Sequence, residues 1–141
     1  MGGRYQQQVE TIHFTPSLKF GGASVGMTYS IQTGHAWVVG DWVEFEIVMT
    51  LTNAGTSAGV ATVEGLPIPS LAGSGYPYRR FDLLNPGAYP LFGTYLETVS
   101  RVPAGTSRVD LFWNVDGALQ QLTDINISAS DIRINGRYKW R

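Results

Sequence analysis

The chain has no cysteine and only two histidines in 141 residues. Without thiols there are no disulfides and no thiolate metal sites, and the redox compartment stays open. Charge is scarce as well. Asp, Glu, Lys and Arg make up 15 % of the chain, against about a quarter in an ordinary globular domain. Water must therefore be met by Ser, Thr, Asn, Gln and Gly, a mix that suits strands and turns better than solvated helices. The formal net charge of -1 gives no reason to expect nucleic acid or an anionic membrane as a partner. No apolar run reaches the roughly 18 residues of a membrane span, so no membrane insertion is expected. The opening MGGRYQQQVE lacks the apolar centre of a signal peptide, so the usual secretion route is not expected. Nothing in the composition asks for a cofactor.

What is present is an apolar share of 43 %, enough for one core in a domain of this length. The clearest segment is VEFEIVMTLT at 43–52. Val43, Phe45, Ile47, Met49 and Leu51 fall on one face, and Glu44, Glu46, Val48, Thr50 and Thr52 on the other. That period of two reads as a half-buried strand. The turn-rich NAGTSAG follows, then VATVEGLP, so 42–66 is expected to be a hairpin. Later, Val109, Leu111, Trp113 and Val115 alternate with Asp110, Phe112 and Asn114. Asp116-Gly117 after them is a favoured two-residue hairpin turn. In the last segment Ile125 and Ile127 are at odd positions and Ile132 and Ile134 at even ones. That phase change predicts a bulge or short turn around 128–131.

No window shows a convincing 3.6-residue apolar period. Short strands broken by Gly and Pro indicate an all-β fold, either a sandwich or a barrel. The stretch 67–90, PIPSLAGSGYPYRRFDLLNPGAYP, carries five of the seven prolines. It is expected to be a long loop excursion, and long ordered loops are usually functional.

Few residues offer chemistry, and the expected set of catalytic and metal-binding residues is empty. Glu44 and Glu46 share a strand face at about 7 Å, a spacing a glycosidase could use. The simpler reading is a solvated strand face whose charges protect an edge. His13 and His35 have no acid at ligand spacing near them. NVDG at 114–117 lacks the remaining ligands of a calcium loop, and Asn126-Ile-Ser128, a glycosylation pattern, lies within an expected strand. Trp37, Trp42, Trp113 and Trp140 are expected in the core or at a subunit seam. Tyr76, Tyr78, Arg79, Arg80 and Tyr89 sit among Gly and Pro with no core-facing period. Exposed aromatics beside arginines suit contact with a receptor, sugars included. The alternative is that this loop folds down on its own domain or on a neighbour.

One series of features recurs elsewhere as a set. It runs from Phe14-Thr15-Pro16 through Phe20-Gly21-Gly22, then Gly26, Thr28 and Tyr29, then Gln32 and Gly34, then Gly40. It continues with the long alternating strand, the turn at 55–59 and Gly65-Leu66-Pro67, and closes with Gly136 and Tyr138. In this order, 14–67 and the closing strand resemble the C-terminal β-domain of tail fibre and related virion proteins of tailed bacteriophages and prophages. The resemblance implies an antiparallel, jelly-roll-like β-sandwich at 14–141 behind a short arm at 1–13, in a trimeric virion appendage that touches the host. The implied partners are copies of itself in a homotrimer, other virion proteins of tail or capsid, and a host cell-surface glycan or protein. The implied location is the virion, assembled in the host bacterial cytoplasm. Tail fibres carry a shaft before such a module, and only about 13 residues precede it here. The alternatives are a capsid decoration or head-fibre protein, and a carbohydrate-cleaving tail enzyme, which needs a carboxylate pair in a groove.

Overall fold

The computed structural model describes residues 10–72, 79–86, 96–115 and 117–141. It is an antiparallel sandwich of two sheets, the all-β class expected. The first sheet is built on the alternating segment. Trp42–Asn53 (β4) buries Val43, Phe45, Ile47, Met49 and Leu51 and turns Glu44 and Glu46 outward. On one side β4 pairs with Thr28–Val39 (β3), which pairs in turn with Thr11–Phe14 (β1). On its other side it pairs with Ile127–Lys139 (β11), which also holds Asp82–Pro86 (β7). The second sheet orders Ser17–Phe20 (β2), Ala61–Glu64 (β5), Arg108–Val115 (β9), Leu96–Arg101 (β8) and Arg79–Arg80 (β6). Ala118–Gln121 (β10) continues along the β5 side of β9.

The inner faces meet in one core that includes Leu18, Phe20, Val63, Val109, Leu111, Trp113, Ile132 and Ile134. The expected bulge is present. Pairing of β11 with β7 slips between Ile127 and Asp131, and burial moves from odd Ile127 to even Ile132 and Ile134. The two-residue turn after β9 holds too, with Val115 opposite Ala118 and Gly117 at φ 85°. Position 116 lies outside the described residues.

Three expectations are corrected. Residues 42–66 are not a hairpin: β4 turns back on β3 across Gly40 and Asp41, while β5 belongs to the other sheet. The connection after β4 crosses the sandwich instead of reversing along it. Strand β4 is also an inner strand, so its glutamates guard no edge. Finally, the excursion at 67–90 contains two strands. β6 and β7 flank Phe81, and Phe81 and Leu83 are buried, so this segment supplies an edge to each sheet. In addition, β1 begins at Thr11, within the segment expected as an arm.

Gly21 and Gly59 have a packing reason. Gly21, at φ 60°, donates its N–H to the Val60 carbonyl at 2.9 Å. A Cβ on Gly59 would lie 2.8 Å from Cα of Gly21, and one on Gly21 would lie 2.4 Å from the Ala58 carbonyl oxygen. Two backbones therefore touch where any side chain would force them apart. Pro16 links β1 to β2, the outer strands of the two sheets on that side, a place where a residue without an N–H interrupts no inner ladder. At the far end of the core Tyr138 is fully buried, and its hydroxyl donates to the Ile68 carbonyl at 2.5 Å. Burial pushes the phenol well above its ordinary pKa, and the Ile68 hydrogen bond opposes that only in part.

Candidate functional site

Of the five residues expected to contact a receptor, Tyr76, Tyr78 and Tyr89 lie outside the described residues. Arg79 and Arg80 form β6, the outer strand of the second sheet, and both are exposed. Arg80 donates from Nε to Oε2 of Glu97 at 2.7 Å. Arg79 lines a small notch at the sandwich edge together with Arg101 and Arg137. Those two arginines are 22 and 58 positions further along the chain, and sequence spacing gave no sign that they would meet Arg79.

The largest concentration of unusual side chains is the outer face of the first sheet. Strand register places them in rows. His13, His35, Glu46 and Asn135 lie across β1, β3, β4 and β11, and Thr11, Trp37, Glu44 and Arg137 form the adjacent row. The rings of His13 and His35 meet edge to face with centroids 4.8 Å apart, and His35 stacks on Trp37 at 6.4 Å. Trp37 donates from Nε1 to Oγ1 of Thr11 at 3.0 Å. The Arg137 guanidinium lies 4.1 Å from the centroid of the Trp42 ring, and Lys139 also sits over that ring. Arg141 lies over Trp140. Only Trp113 of the four tryptophans is in the core; the other three are partly exposed.

The charges on this face are largely unengaged. Arg137 stands directly opposite Glu44, but its guanidinium lies over Trp42. Among the described residues, the side chains of Glu44, Glu46 and Arg133 join no ion pair and no hydrogen bond. No protein-family model matches this chain, and no curated protein matches it. The side chains themselves are therefore the guide to function. Glu44 and Glu46 are exposed on the outer face of the sheet, and none of the hollows described among these residues is lined by either of them. Among the described residues no group of three or more His, Asp and Glu side chains is placed to hold a metal ion.

Because neither glutamate side chain has a partner among the described residues, the Glu44→Gln, Glu46→Gln double variant should shift the unfolding free energy by less than about 1 kcal/mol. Denaturant midpoints of variant and parent check this. A drop of several kcal/mol would mean that the carboxylates hold the sheet together.

Proposed function

We propose that this protein is a non-enzymatic structural component of a bacteriophage virion, a tail-fibre or tail-tip module that forms a homotrimer and binds the host surface. The observation that supports this reading most is the outer face of the first sheet. Tryptophan and arginine are enriched in the centres of protein interfaces. Here Trp37, Trp42 and Arg137 stand on a rigid sheet, with unengaged charges of both signs around them. Such a face suits contact with another copy of the chain. If it is turned inward in the trimer, the second sheet with Arg79 and Arg80 at its margin faces outward to the host. The resemblance of 14–67 to virion β-domains points the same way.

Immunogold labelling of virions tests the placement. Label on the tail is expected, and label on the head would favour the capsid decoration reading. The outward side is tested with Arg79→Ala and Arg80→Ala together. Arg80, itself exposed, forms an ion pair with Glu97, and surface pairs of this kind contribute about 0–1 kcal/mol. The domain should keep its melting temperature while host-cell binding falls about tenfold, roughly 1.4 kcal/mol. Unchanged cell binding would remove these arginines from the contact.

A further inference from the structure

The second sheet carries a different feature on its outer face. Thr62, Glu64, Arg108 and Asp110 alternate with the buried Ala61, Val63, Val109 and Leu111, so they point away from the core. Two hollows, of about 390 and 340 Å³, lie over them. Both are lined by Glu64 and Arg108, so together they make one trough across β5 and β9. Gly21, Gly22 and Gln121 line one end, and Thr106 and Ser107 the other. The Gly21 wall is pinned by the close backbone contact with Gly59, so this end is preformed.

The floor is polar and selectively satisfied. Arg108 donates from Nε to Oδ1 of Asp110 at 2.9 Å. It thereby passes over Glu64, its direct cross-strand neighbour. Among the described residues, the Glu64 side chain makes no hydrogen bond and no ion pair. The trough thus offers a free carboxylate acceptor, a guanidinium, an amide and three hydroxyls. The one unengaged charge in its lining is negative, which disfavours a phosphate or an acidic sugar. Planar carboxylate, guanidinium and amide groups next to one another match pairs of adjacent hydroxyls, each of which both donates and accepts.

We propose that this trough binds a neutral oligosaccharide through vicinal hydroxyls, with Glu64 accepting from them and Arg108 and Gln121 supplying further hydrogen bonds. The volume suits sugar rings. Among the described residues no aromatic side chain lines the trough, so these residues offer no stacking platform and each site is expected to bind weakly. Three copies on one trimer raise the strength of attachment to a surface without any new contact. The aromatic face of the first sheet is less suited to this role, because cations of the chain already lie over Trp42 and Trp140. The proposal names the partner class of the host-surface reading, and it rests on that reading for the source of the sugar.

The test titrates the intact protein with maltooligosaccharide, N-acetylglucosamine oligomer, mannan fragments and oligogalacturonate, followed by amide NMR. Saturable shifts at Thr62, Glu64, Ser107, Arg108 and Gln121 are expected with at least one neutral sugar. Glu64→Ala should weaken that binding about tenfold or more and leave the melting curve in place, since Glu64 is exposed and unpartnered. Gln121→Ala is the second variant, with loss in the same direction. Shifts confined to the first sheet, binding of oligogalacturonate alone, or no saturable shift at all would overturn the trough proposal. New reducing ends released from a bound sugar would overturn it as a binding site and make it a hydrolytic one. Pull-down of bacterial cells separates the two ideas. If Glu64→Ala captures cells as well as the parent, the trough is wrong and the host-surface reading stands. If the parent captures no cells, that reading fails, and the purified sugars alone decide the trough.

Discussion

A chain carrying Trp37→Ala and Trp42→Ala is expected to run as a folded monomer at micromolar concentration, where the proposed state of the parent is a trimer. Both rings stand on the outer face of the first sheet, one tied to Thr11 and the other beneath Arg137. Truncating a central aromatic at an interface commonly costs about 2 kcal/mol or more. Two such losses at each contact weaken association by about a thousandfold or more. Light scattering reads the mass, and circular dichroism should still show the β-sandwich, because neither side chain belongs to the core. The melting temperature of the monomer should fall and lose its dependence on protein concentration, since assembly stabilises whatever it binds. A parent that is monomeric at these concentrations would remove the main support for the appendage reading. A double variant that remains trimeric would place the seam elsewhere.

The second large effect concerns Tyr138. Replacement by Ala removes a fully buried aromatic ring that packs against Phe45 and leaves the Ile68 carbonyl without its donor. Loss of a buried aromatic costs about 3–5 kcal/mol, a large part of the 5–15 kcal/mol that holds an ordinary domain together. Tyr138→Phe keeps the ring and should cost about 1–3 kcal/mol, the cost of an unsatisfied buried polar group. Denaturant unfolding separates the two variants. The phenol also predicts a pH dependence. Its folded pKa is raised above the unfolded value of 10.0, so above that pH the unfolded chain gives up the proton first. The stability is intact below pH 10 and falls as pH rises beyond it. Tyr29 acts in the same direction. In Tyr138→Phe the alkaline loss should be shallower; an unchanged slope would assign the effect to other tyrosines.

How much of this was legible in the sequence depended on where the large side chains point. β4 and β9 were readable because large apolar residues face in and polar ones face out. β3 inverts that signal. Its inward positions include the small Gly34 and Ala36, and its outward positions carry His35 and Trp37. A Cβ on Gly34 would lie 2.5 Å from the Phe14 ring, so a neighbour's aromatic fills the space a larger inward residue would occupy. β6 and β7 were hidden by the prolines around them, although Phe81 and Leu83 keep a period of two. The trough has no local signature at all. Glu64, Arg108 and Gln121 belong to three segments, and only strand register brings them together. The same holds for the aromatic rows of the first sheet.

The place of β11 has a consequence for how the molecule is made. β4 holds β3 on one side and β11 on the other, over nine residue pairs from Asp131–Thr50 to Lys139–Trp42. During synthesis β3 and β4 leave the ribosome together and can pair at once. The strand that covers the other side of β4 arrives only after all the remaining strands. For that interval a long row of N–H and C=O groups on β4 stands open beside an apolar face, which is the kind of template on which nascent chains pair wrongly. The sandwich cannot close until its latest strand takes an inner seat. Every chain that stops short of residue 127 should therefore be caught by chaperones or aggregate, not persist as a smaller domain.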